Sequence, residues 1–146
     1  MGDFYTLTKY CTDSVYGYNG FTDGKTVLDP EDDAAHVNLG GKWRMPTDDE
    51  WTELRENCTW TWTTQNGVDG TLVTGPNGNS IFLPAAGYRY DTYPYLSYVG
   101  SLGYFWSSSL YTDYPYYAWS VYFFSGTVCR SSGRRYDGQS VRPVSE

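Results

Sequence analysis

Between Ala118 and Arg130 the chain alternates with a period of two, and that period confines its side chains to the two opposite faces of a strand. Trp119, Val121 and Phe123 occupy one parity, and Ser120, Tyr122 and Phe124 the other. The first set predicts a core face and the second a solvent face. Ser125-Gly126 interrupts the run as a turn would, and the alternation resumes with Val128 and Arg130 against Thr127, Cys129 and Ser131. Strands are therefore expected near 118–124 and 127–131, with a further one near 139–144. Exposed Tyr and Phe on one continuous face predict a binding patch.

The first third reads as helical. Asp29-Pro30-Glu31-Asp32-Asp33 sets an N-cap residue before Pro, with acids in the first turn, and predicts a helix to about Asn38 that Gly40-Gly41 ends. Thr47-Asp48-Asp49-Glu50 is a capping box. Trp51, Leu54 and Cys58 follow at helical spacing and predict a core-facing stripe. After Cys58 the pattern changes. Trp60 and Trp62 alternate with Thr59, Thr61 and Thr63 as in a strand, and Asn77-Gly78 between Leu72-Val73 and Ile81-Phe82-Leu83 predicts a hairpin. Two helices followed by many short strands argue for one α+β domain, a natural size for 146 residues.

Charge narrows the function classes. The net charge of -7 argues against nucleic acid, and no segment reaches the ~20 apolar residues that membrane insertion needs. Residues 1–87 hold 13 acids and five bases, whereas 88–146 hold four acids and five bases. An acidic body thus carries a nearly neutral aromatic region. Met1-Gly2 reads as the start of an expressed fragment, without a visible secretory signal. Cys11, Cys58 and Cys129 form no zinc spacing; free buried thiols or a Cys11–Cys58 bridge both fit the sequence.

The aromatic region has a bias of its own. Twelve of the 16 Tyr lie between Tyr88 and Tyr136, no Asn follows Asn79, and no Lys follows Lys42. An Asn codon of the form AAY, randomised at its two adenines, encodes Tyr, Asp, Ser, Thr, Gly, Arg, Cys and Phe but never a stop. Those are the residues at Tyr114, Tyr116, Tyr117, Ser120, Tyr122, Phe124, Thr127, Cys129, Ser131, Ser132, Gly133, Tyr136 and Asp137. Ordinary drift in a Tyr-rich protein is the plainer account of the same bias.

Four segments weigh against drift: Gly41-Lys42-Trp43-Arg44-Met45-Pro46-Thr47-Asp48-Asp49-Glu50-Trp51, Phe82-Leu83-Pro84-Ala85-Ala86-Gly87-Tyr88-Arg89, Phe105-Trp106-Ser107-Ser108-Ser109 and Gly138-Gln139-Ser140-Val141-Arg142-Pro143-Val144. In this order they resemble the C-type-lectin-fold variable proteins of diversity-generating retroelements, in the branch of gut bacteria and their phages. The same frame occurs in fibrobacter-type paralogous domains and, more distantly, in formylglycine-generating enzymes. The resemblance implies an α+β C-type lectin fold, two helices packed on short twisted antiparallel sheets. It also implies a scaffold over about 1–87 and a variable ligand-binding region over about 88–144. In that family a reverse transcriptase copies a template repeat with errors at adenines, and the copy overwrites the gene's 3′ end. Trp106, Trp119, Val121, Phe123 and Val141 would be fixed. The positions above would form the variable face, joined by either Arg134 or Arg135, and Tyr90, Asp91, Tyr93, Tyr95 and Tyr98 would extend it. Tyr116, Tyr117, Tyr122, Phe124 and Tyr136 are expected to form its aromatic centre, as in an antibody paratope.

The implied function is recognition of a protein or glycan on a target cell, outside the cell on a phage particle or bacterial surface protein, with homo-oligomers adding avidity. The alternative is a fixed adhesin-like or structural surface domain without diversification. An enzyme is not expected, nor a cofactor. His36 is the only histidine and sits near the end of an acidic helix. Asp32-Asp33 and Asp48-Asp49-Glu50 could bind calcium or do acid–base work, but helix capping explains first-turn acids better. Formylglycine-generating enzymes use two reactive cysteines near the C-terminus, where this chain has only Cys129. The Glu-Pro-Asn or Gln-Pro-Asp and Trp-Asn-Asp tripeptides of calcium-dependent lectins do not occur.

Overall fold

In the computed structural model, which describes residues 6–145, the first helix (α1, Ala34–Leu39) starts four residues later than the Pro30 signal predicts. Asp29 and Pro30 do begin a turn, with Asp32 and Asp33 N–H groups donating to the Asp29 carbonyl at 3.0 and 3.1 Å. Asp33 then breaks it, because its buried carboxylate has better uses. One oxygen accepts the Ala35 and His36 N–H groups at 2.8 and 3.0 Å, and the other accepts Met45 N–H at 2.8 Å. Asp33, not Asp29, is the N-cap, and it ties the helix to the strand that follows, β1 (Trp43–Arg44).

The second helix, α2 (Asp48–Asn57), begins where the capping box places it. Glu50 N–H donates to Thr47 Oγ1 at 3.2 Å, and Thr47 N–H donates back to Glu50 Oε2 at 2.8 Å. Its Trp51 is buried, and Leu54 and Cys58 pack beside the core. Strands β2 (Thr59–Gln65), β3 (Val68–Thr74) and β4 (Ser80–Pro84) form an antiparallel meander, with Asn77-Gly78 in its second turn as expected.

A second meander consists of β5 (Gly103–Leu110), β6 (Tyr117–Phe124) and β7 (Thr127–Arg134). Gly126 takes φ 77° in the two-residue turn between β6 and β7, a conformation that costs little only without a Cβ. Between β5 and β6 the register slips, so that Trp106↔Ser120 is followed by Leu110↔Ala118. This bulge frees backbone groups, and several of them find partners outside the ladder. Ser108 N–H donates to Pro46, Ser107 Oγ to the Trp119 carbonyl at 2.8 Å, and Trp51 Nε1 to the Trp106 carbonyl at 3.2 Å. The Phe-Trp-Ser-Ser-Ser segment is thus the joint that docks α2 onto the sheet.

Phe105, Val121 and Phe123 from this sheet meet Trp51, Val73 and Leu83 in one core, flanked by Trp60, Trp62, Ile81 and Val128. The strand expected at 139–144 is only partly a strand. Ser140 makes a parallel bridge to Phe105, exchanging bonds with Tyr104 and Trp106, and β8 (Val144–Ser145) pairs with β1. Pro143 lacks the N–H that would continue the ladder between them. The result is a mixed α+β fold of two helices and small antiparallel sheets.

Candidate ligand-binding face

Register decides which side chains share the outer face of the second meander. Tyr104 lies opposite Tyr122 and Trp106 opposite Ser120. On the other side of β6, Ser120 faces Ser131, Tyr122 faces Cys129 and Phe124 faces Thr127. The rings along this face form a ladder. Tyr98 stacks on Tyr88 at 6.1 Å, Tyr88 tilts against Tyr104 at 4.9 Å, Tyr104 stacks on Tyr122 at 5.4 Å, and Tyr122 stacks on Phe124 at 6.2 Å. Phe124 and Thr127 are exposed at the hairpin tip. Burial raises the phenol pKa of Tyr104 and Tyr88; for Tyr122 the first cause is its hydrogen bond with Cys129.

The other end of the same face is covered. The segment through Gln139 crosses it, and a Cβ on Gly133 would lie 2.5 Å from Gln139 Nε2 and 2.7 Å from the Trp106 ring. Ser120 is consequently buried at 2% exposure, although its parity predicts solvent. Strand parity chose its face correctly, but a later segment packs onto that face. Gly133 is held to glycine or a displaced neighbour for the same reason.

A recess of about 240 Å³ opens between these two ends, with Tyr88, Tyr104 and Tyr117 among its walls. Ser120, Ser131, Ser132, Gly133, Arg134 and Asp137 line it, together with Tyr90 and Gln139. Seven of the residues expected to bind ligand therefore gather around one concavity: these six and Tyr117. Arg134 donates to the phenol oxygens of Tyr90 and Tyr136, both at 2.8 Å. Hydrogen bonds to Tyr117 and Tyr136 raise its pKa further. Asp137 accepts Asp91 N–H at 3.1 Å, and its pKa is raised, chiefly by burial.

Arg134 and Arg135, inseparable in sequence, part here. Arg135 turns inward and donates to the carbonyls of Pro115, Tyr10 and Lys9 at 2.9, 3.2 and 3.2 Å, which makes it scaffold. Arg134 stays at the recess. The expected single aromatic centre divides instead. Tyr116 and Tyr117 are in contact at 4.7 Å and continue to Tyr114, Tyr111 and Trp119, whereas Tyr122 and Phe124 belong to the ladder. Tyr136 is tied to Tyr90 through Arg134. Tyr93, Tyr95 and Tyr98 stand exposed on the loop before β5. Three recess residues escaped the sequence reading: Tyr88, Tyr104 and Gln139. Tyr104 was legible, since alternation around Phe105 assigns it to the outer face; Gln139 was not, because its approach is tertiary.

The acidic clusters have structural partners. Asp48 receives Arg130, Glu50 receives Arg44 at 2.7 and 2.8 Å, and Asp33 caps α1. Asp29, Glu31 and Asp32 bring carboxylate oxygens within 4.8 Å of one another, and Lys25 and Lys9 pair with Asp29 and Asp32. His36 Nδ1 lies 3.2 Å from the Trp43 carbonyl. All three cysteines are free thiols.

Comparison with curated proteins and with solved structures finds no match for this chain. A family model described as a domain of unknown function, DUF8237, matches residues 57–144, from the end of α2 through the second meander to β8. That span is more than half of the chain and contains the whole recess and ladder, so the chain belongs to the DUF8237 family.

Proposed function

We propose that this chain is a non-enzymatic recognition domain of the C-type lectin fold, whose outer face is diversified by a retroelement for attachment to a cell-surface target. One observation carries the reading. Seven of the residues expected to bind ligand, scattered between Tyr117 and Asp137, gather around one recess, and Tyr122 and Phe124 continue from its Tyr104 wall as an aromatic ladder. Tyrosine suits such a face because it offers a large amphipathic contact with few torsions to freeze. Mixed small helices and antiparallel sheets are compatible with the lectin-type frame.

A second reading has its own support. Ser120 is buried and Gly133 has no room for a side chain, so two positions of the expected variable set tolerate little change. That favours a fixed adhesin-like face. Sequencing the gene's 3′ end across its source population separates the two. Diversification predicts substitutions at adenine-derived codons for Tyr114, Tyr116, Tyr117, Tyr122, Phe124, Thr127, Cys129, Ser131, Ser132, Tyr136 and Asp137. Trp119, Val121 and Phe123 would stay constant, and Ser120 and Gly133 small. Uniform sequence at those codons sinks the diversified reading and leaves the fixed one.

A further inference from the structure

We propose that the recess takes one neutral sugar unit of a glycan, with Ser120 and Gln139 as its polar floor and tyrosines as its walls. This rests on the reading of the face as a ligand-binding one and adds the class of ligand. Two buried side-chain polar atoms among the described residues have no hydrogen-bond partner, Ser120 Oγ and Gln139 Oε1. Both belong to residues that line this same recess. Buried polar atoms are rarely left unmatched, so their coincidence in one concavity points to a group that arrives from outside.

The chemistry of that group follows from what it must satisfy. Gln139 Oε1 accepts and needs a donor, while the Ser120 hydroxyl both gives and accepts. An apolar side chain would leave both orphaned. Arg134 and Asp137 both line the recess, so its charge selects neither a cation nor an anion. A neutral polyol satisfies the floor without a charge conflict. Its C–H face suits the rings of Tyr88, Tyr104 and Tyr117, since aromatic faces carry negative potential and sugar C–H groups positive. The volume of about 240 Å³ equals roughly eight waters at ~30 Å³ each, which is room for one ring and not for a helix or a strand. From Tyr104 the ladder continues at 5.4 and 6.2 Å to Tyr122 and Phe124, an exposed track on which following sugar units can lie.

The test is saturation-transfer NMR on the full chain with millimolar glucose, galactose, mannose, fucose and N-acetylglucosamine. Transfer to the ring C–H protons of at least one of them is expected. Ser120→Ala and Gln139→Leu should each weaken that binding about ten-fold, whereas Thr127→Ala, at the hairpin tip, should not. Ser120→Ala removes an orphaned hydroxyl and leaves the packing around it, and a thermal unfolding curve matching the parent chain verifies that it folds. No transfer from any of the sugars to the folded chain overturns the inference, as does binding that both floor variants leave unchanged. Failure here is distinguishable from failure of the underlying reading. Varied codons on the face with no sugar binding would remove the sugar and keep the receptor, and sugar binding on an invariant face would do the reverse.

Discussion

Arg130, on β7, holds Asp48 at the first turn of α2 with three hydrogen bonds of 2.6 to 3.1 Å, and its guanidinium lies 3.3 Å from the centre of the Trp119 ring. One side chain therefore links the second meander to the helix and covers the tryptophan between them. Asp48 is nearly buried, while Arg130 keeps part of its surface in water.

Removing the arginine strands a buried carboxylate. Arg130→Met is expected to lower the unfolding free energy by about 1–3 kcal/mol, the cost of an unsatisfied buried acceptor. Urea denaturation measures it. In the double variant with Asp48→Asn much of that loss should return, because no charge is left unpaired. Equal losses in the single and double variants would show that the ring contact with Trp119, rather than the ion pair, matters.

Adjacent phenylalanines should behave oppositely. Phe123 is 1% exposed in the core, and Phe123→Ala is expected to cost ~3–5 kcal/mol. Phe124, at 39% exposure on the hairpin tip, should change stability by no more than ~0.5 kcal/mol when replaced by Ala. Chemical unfolding of the two variants checks the assignment of faces directly.

The capping box makes an acid-sensitive joint. The bidentate Arg44 contact, aided by Thr47 N–H, depresses the Glu50 carboxyl from its ordinary 4.5 to about 2. A depressed carboxyl contributes stability that is present above pH ~4.5 and lost as pH falls through about 2. Glu50→Gln should therefore flatten the pH dependence of stability across that window, measured by denaturation at stepped pH. An unchanged slope would mean that other carboxylates dominate acid unfolding.

Alkali tests a second joint, at Tyr10. Tyr10 donates to Asp32 at 2.6 Å and accepts Asp29 N–H at 2.9 Å, and burial first, then Asp32, pushes its phenol from 10 up to about 12. A raised folded-state value means stability that is complete below pH ~10 and declines as pH rises through about 12. Tyr10→Phe should remove that decline while lowering neutral-pH stability by ~1 kcal/mol. Ultraviolet titration of phenolate absorbance at 295 nm should lose one late-titrating tyrosine.

Much of the framework was legible because it depends on neighbours in the chain. The capping box at Thr47 starts α2, and the period-two run with Ser125-Gly126 at its break makes the β6–β7 hairpin. Where competition came from afar, local signals were insufficient. The Asp29-Pro30 start loses to Asp33, whose carboxylate is needed by Met45 twelve residues later. The last strand is interrupted because its residues divide between β5 and β1.

The site shows the same division. Composition and alternation alone determined that a tyrosine-rich face would stand on one side of a hairpin, with Val121 and Phe123 opposite in the core. They could not determine that Gln139 would cover one end of that face, bury Ser120, exclude a Cβ from Gly133 and leave a recess beside the ladder. Nor could they tell Arg135, anchored on three carbonyls, from Arg134, held by phenols at the rim. A strand's period is a local property of the backbone and reports which way a side chain points. Whether anything packs over it depends on segments distant in sequence, and only the folded chain brings those together.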